Sequence, residues 1–108
     1  MRTRLVNRYT TPLETVGPYI DITRGGRWGN PFVMGRDGNR GEVLFRYRKW
    51  LEAKPDRYIA EIRRHLKGQT LVCCCTPRAC HGDFLVAIAE GEPWPSHGVQ
   101  QFHLFENP

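Results

Sequence analysis

No apolar run in this 108-residue chain approaches the roughly 20 residues that a membrane-spanning helix needs. The N-terminal "MRTRLVNRYTT" also lacks the apolar stretch of a secretory signal. The expectation is a protein without membrane association that stays in the cytoplasm. Repeats and low-complexity segments are missing as well, and the length is too short for two cores. Cysteine is sparse, at four residues, and no C-x2-C knuckle occurs among them. In a reducing compartment such a tight cluster reads as metal-binding or catalytic before it reads as structural disulfides.

What is present is an ordinary globular composition, 40% hydrophobic and 25% charged, with three tryptophans. Sixteen Lys and Arg face eleven Asp and Glu, giving a formal charge of +5. A nucleotide or nucleic acid, or an acidic face of a host protein, suits that balance as a partner, and so does a plain solvated basic surface.

Periodicity divides the chain into alternating elements. "LVNRY" reads as a short strand, and "YIDITR" sets Ile20 and Ile22 against Tyr19, Asp21 and Thr23 with the period of a half-buried strand. Pro12, Gly17 and Pro18 turn the chain between them. "RGGRWGNPF" follows as a loop whose glycines exclude regular structure. From Glu42 a helical period carries Val43, Leu44, Tyr47, Trp50 and Leu51 on one face, with Arg46, Arg48 and Lys49 largely opposite, until Pro55 ends it. Asp56 is placed to cap a second helix bearing Ile59, Ile62 and Leu66, with Gly68 to stop it. "TLVCCC" has the apolar continuity of a buried central strand, and "FLVAIAE" up to Gly91 reads as a last helix. The expected order is β-β-α-α-β-α: a small compact α/β domain of two or three layers over residues 1–91. Its short mixed sheet and about three helices make it a Rossmann-like fragment. A Pro-rich aromatic arm over residues 92–108 would pack irregularly, add a strand at "QQFHLF", or meet a partner.

Three stretches, "WGNPF" at Trp28 to Phe32, "YRKWL" at Tyr47 to Leu51 and "CCCTPRACHGD" at Cys73 to Asp83, together resemble the small phage and bacterial family called domain of unknown function 4326. The resemblance runs from about Arg4 to Glu90. It implies that Trp28, Gly29, Asn30, Pro31, Phe32, Cys73, Cys75, Pro77, Cys80, His81, Gly82 and Asp83 occupy motif positions, with Cys74 standing where the family has Trp. It implies no particular activity.

The cysteine stretch admits three readings. On a strand, Cys73 and Cys75 share one face, and a turn at Pro77 returns Cys80 and His81 toward them; Cys73, Cys75, Cys80 and His81 would then form a Cys3His zinc set, with an iron–sulfur cluster the less favoured occupant. Alternatively, Cys80 at a helix start is a thiolate nucleophile with His81 and Asp83 as proton-handling partners, making these three the catalytic candidates. Or Cys73 and Cys75 are simply small core residues. The glycine-rich loop offers Arg24 and Arg27 to a phosphate, Trp28 to a base, Gly29 for close approach and Asn30 for a base or sugar edge, unless Trp28 is a core anchor and Asn30 bonds its own backbone. Both segments should follow strand C-termini, the edge where open α/β sheets take ligands. The leading expectation is a cavity joining Arg24 to Phe32 with Cys80 to Asp83, lined by both Asn30 and Asp83. It would bind a nucleotide or nucleic acid and act, if an enzyme, on a glycosidic or phosphoryl bond. The competing expectation is a non-catalytic zinc-stabilised module that holds nucleic acid or a host protein.

Overall fold

The computed structural model describes residues 1–23 and 25–97. Three short strands, β1 (Arg4–Asn7), β2 (Ile20–Asp21) and β3 (Thr70–Cys73), form a sheet in the order β1-β3-β2. Both pairings are parallel, Leu5 opposite Leu71 and Ile20 opposite Leu71 on the other side. The sheet is therefore wholly parallel rather than mixed. β3 takes the centre because Thr70, Leu71, Val72 and Cys73 are all buried, whereas β1 and β2 have polar positions that tolerate an edge.

Three helices complete the fold: α1 (Arg40–Glu52), α2 (Asp56–Leu66) and α3 (His81–Glu90). α1 starts where Asn39 and Glu42 form a reciprocal capping box, each side chain accepting from the other's backbone N–H at 2.9 Å. It buries Val43, Leu44, Tyr47 and Leu51, the face its sequence period marks, and half-buries Trp50. α2 begins one residue earlier than the expected cap allows. Pro55 occupies the capping position with a fixed extended backbone, and Asp56 is the first helical residue, where its charge still favours the helix dipole. Gly68, with φ +77°, turns the chain out of α2 into β3.

α2 lies along α3, and α3 rests on β1 with its start pressed against the sheet. Gly82 makes that approach: a Cβ there would stand 2.7 Å from Leu5 Cδ1 and 2.8 Å from Ile22 Cδ1. One core unites Ile22, Tyr47, Leu51, Ile62, Leu66, Leu71, Phe84, Leu85 and Ile88. Residues 92–97 pack back on this body. Arg2 bonds Glu92 at 2.8 Å, Arg48 donates to the Pro95 carbonyl at 2.7 Å, and Trp94 meets Phe84 edge-on. The "QQFHLF" strand expectation lies outside the described residues.

Candidate ligand cavity at the strand ends

β3 stops at Cys73, two residues before the apolar run ends. The Thr76 N–H donates to Cys73 Sγ at 3.4 Å and the Arg78 N–H to the Cys75 carbonyl at 3.0 Å, so the backbone closes into a turn through Pro77. Cys73 and Cys75 are consequently not strand neighbours on one face. Cys73 is buried, Cys74 exposed and Cys75 half-buried.

Where the three parallel strands end, the chain leaves a cavity of about 330 Å³. β1 delivers Arg8 and Tyr9 to it, β2 delivers Thr23, and the turn after β3 delivers Cys74 and Cys75. Asn30 and Phe32 come from the glycine-rich loop, Arg40 from the first turn of α1, and Cys80 and His81 from the start of α3. Each is held by its own element. Arg8 N–H extends the sheet ladder to the Cys73 carbonyl at 2.9 Å, and its guanidinium lies 3.4 Å from Asp21. Hydrogen bonds from Thr23 keep the Asp21 carboxyl below its ordinary pKa, so Asp21 stays an anion beside Arg8. Asn30 Oδ1 accepts from the Phe32 N–H at 2.9 Å, a local turn that places Phe32 at the wall. Arg40 donates to the Ala79 carbonyl at 3.0 Å, tying α1 to the loop before α3.

Cys80 caps α3, accepting from the Gly82 N–H at 3.3 Å, while the Asp83 carboxylate accepts from the Cys80 N–H at 3.1 Å. This capping box turns Asp83 away from the cavity. Its Oδ2 also meets His97 at 2.8 Å, and the residue lines a separate, broader groove with Arg4, Thr70, Val86 and Pro95. Asn30 and Asp83 therefore do not share a cavity.

The expected low-pKa nucleophile is also reassigned. The neighbouring Cys73 thiol, reinforced by burial, pushes the Cys80 thiol pKa up. The Cys80 thiol, with backbone amides of Thr76 and Cys75, lowers Cys73 to about 6. His81 Nε2 lies 2.8 Å from the Ile22 carbonyl; because that partner only accepts, Nε2 carries the hydrogen and Nδ1, 3.8 Å from Cys80 Sγ, is left as an acceptor. Burial lowers the His81 pKa and keeps the ring neutral. Among the described residues no three His, Cys, Asp or Glu side chains are gathered as metal ligands. Cys73, Cys75, Cys80 and His81 all line the cavity, but they are not gathered into a metal-ligand cluster among the described residues.

Of the loop candidates, Arg24 lies outside the described residues. Arg27 reaches Glu61 at 3.5 Å and covers Trp28, its guanidinium 4.4 Å from the ring centre. Trp28 is a core anchor, buried beside His65. Gly29 bonds back to Gly26 in a turn. Of the described members of that group, only Asn30 lines the cavity. Sequence reasoning missed Arg8, Tyr9, Thr23 and Arg40. The first three fall inside the expected strands "LVNRY" and "YIDITR", which the structure ends earlier, at Asn7 and Asp21.

These pKa shifts predict a pH dependence. His81 is held below its unfolded value, so its contribution to stability is present above about pH 6.5 and is lost as pH falls below it. Cys73, also lowered, acts in the same direction between about pH 9 and 6. The thermal midpoint should fall as pH goes from about 8 to about 5.5, above the range where the carboxylates titrate, and His81→Gln should flatten the acidic part of that slope. An unchanged slope in the variant would remove His81 as the cause.

The family model described as domain of unknown function (DUF4326) matches residues 6–91. The "Uncharacterized 12.4 kDa protein in nrdA-td intergenic region" of Enterobacteria phage T4 is similar, 31% identical over 88 residues that cover 79% of this chain and 75% of that protein. No solved structure matches the chain. With the matched span running from within β1 through α3, and so containing most of the sheet and every described residue of the cavity wall, the chain belongs to the DUF4326 family.

Proposed function

We propose that this protein binds a nucleotide in the cavity at the strand ends, with the base against Tyr9 and Phe32 and the phosphate toward Arg8 and Arg40. The observation that carries this reading is the lining itself: two aromatic rings and two guanidinium groups border a cavity of about 330 Å³, and no carboxylate stands among the described residues lining it. Such a volume takes a small molecule. Aromatic faces stack any base, and arginines pair with phosphate oxygens. The location agrees with the general rule that open parallel sheets take ligands beyond the carboxyl ends of their strands.

A small ligand is favoured over a polynucleotide. Arg46 donates to the Asp37 carbonyl, Arg48 is occupied by Pro95 and lies 3.7 Å from Glu52, and Lys49 lies 3.6 Å from Glu52. The basic face of α1 is thus drawn into internal contacts. Chemistry at a glycosidic or phosphoryl bond has weaker support, because Asp83 faces the other groove and a pair of carboxylates, the usual means of glycosidic cleavage, is not at hand. Calorimetric titration with purine and pyrimidine nucleoside mono-, di- and triphosphates tests the reading. Some nucleotide should bind with Kd on the order of micromolar, while the matching nucleoside and inorganic phosphate each bind at least about 10-fold more weakly. No binding by any nucleotide would end the proposal.

A further inference from the structure

We propose that the cavity selects a nucleoside monophosphate, bound without a metal ion, and that Asp21 beside Arg8 is the residue that turns longer phosphate chains away. This selectivity rests on the cavity being a nucleotide site. Size points to it first. A volume of about 330 Å³ lies at the small end of the roughly 300–1,000 Å³ that ligand sites occupy.

Charge points the same way. Arg8 and Arg40 are the arginines among the described lining residues, and the Asp21 carboxylate stands 3.4 Å from the Arg8 guanidinium. Arg40 spends Nη1 on the Ala79 carbonyl at 3.0 Å, which leaves its Nε–Nη2 edge, unclaimed by any described residue, to meet a phosphate with two parallel bonds. A phosphate monoester carries about two negative charges, and two guanidinium groups match it. A second or third phosphoryl group brings further negative charge toward Asp21. Like charges set side by side count against the longer ligand, so one carboxylate supplies discrimination that the arginines alone would not.

The same carboxylate is badly placed to recruit a cation for a longer chain. Magnesium bound with a nucleoside triphosphate is held by one or two protein carboxylates together with phosphate oxygens. No carboxylate stands among the described lining residues. Both oxygens of Asp21 are engaged: Oδ1 accepts from the Thr23 N–H at 2.8 Å and from the Thr23 hydroxyl, and Oδ2 faces Arg8 Nη1. Asp21 thus holds Arg8 in position and repels excess phosphate.

Calorimetry on the full chain with AMP, ADP and ATP, and with UMP, UDP and UTP, each in EDTA and in excess Mg2+, reads the selectivity. The unsubstituted protein should bind the monophosphate at least about 10-fold more tightly than the triphosphate of the same base, with the same Kd in EDTA and in Mg2+. Asp21→Asn keeps an oxygen to accept from the Thr23 N–H and should narrow the preference to less than about 3-fold, chiefly by strengthening triphosphate binding. Should that variant fold poorly, the same narrowing is read in the unsubstituted protein as salt is raised, because screening weakens a like-charge contact. Triphosphate bound as tightly as monophosphate, or binding strengthened by Mg2+, overturns the monophosphate class while leaving the cavity a nucleotide site. A preference unchanged by Asp21→Asn or by salt overturns the role of Asp21. Binding of no nucleotide at all ends the nucleotide reading and this selectivity with it.

Discussion

Arg8→Ala is expected to weaken nucleotide binding by about 10- to 100-fold while leaving the melting temperature almost unchanged. A hydrogen bond to a charged partner contributes about 1.5–3 kcal/mol, which is that range of affinity. Folding should be spared for two reasons. The sheet bond at this position is made by the Arg8 backbone, and the ion pair to Asp21 is 3.4 Å long and partly exposed, a class of contact that adds roughly 0–1 kcal/mol. The loss in binding is compounded because Asp21, held ionised by Thr23, is then left without its cation near the phosphate. Arg8→Lys should restore only part of the affinity, since an ammonium cannot present two parallel donors. Titration of each variant with the best nucleotide, beside a melting curve, separates the two effects; equal affinity in Arg8→Ala would detach the phosphate from this residue.

Phe84→Ala should be the most damaging single truncation to the fold, at about 3–5 kcal/mol. Phe84 is fully buried, and its ring meets Tyr47 edge-on at 5.7 Å, Trp94 at 6.3 Å and His97 at 6.0 Å. It therefore joins α3 to α1 and to the segment that follows α3. A domain of this size has a total stability of about 5–15 kcal/mol, so the loss would bring the variant near its unfolding threshold. Denaturant unfolding should show a sharply lowered midpoint with an unchanged slope. A change under about 1 kcal/mol would mean that this core is far more deformable than its packing implies.

The helices were legible because their signals are local. The apolar repeat of Val43, Leu44, Tyr47 and Leu51, and Gly91 after Glu90, gave the buried face of α1 and the end of α3 without any knowledge of neighbours. The order of elements and the central place of the apolar "TLVC" run followed in the same way. The end of β3 did not, because it is set by the Thr76 amide reaching Cys73 Sγ, a contact that hydropathy does not encode. Trp28 shows the corresponding limit in the site. An aromatic residue among glycines reads equally as a stacking platform or as a core anchor, and only the packing around His65 decides for the core. Asp83 was misplaced by the same kind of ambiguity. One turn into a helix, a carboxylate serves either a cavity or its own cap, and the Cys80 amide claims it. Cys80 does not carry the lowered pKa that a helix start suggests, because the neighbouring Cys73 thiol and burial push it up.

Amide chemical-shift mapping of the isotopically labelled chain, titrated with the tightest-binding nucleotide, tests the cavity assignment most directly. The account predicts that the largest shifts fall on Arg8, Tyr9, Thr23, Asn30, Phe32, Arg40 and His81, residues scattered through the sequence and united only by the strand ends. Shifts centred instead on Arg4, Thr70 and Val86, which line the other groove, or on the Arg46 to Lys49 face of α1, would contradict it.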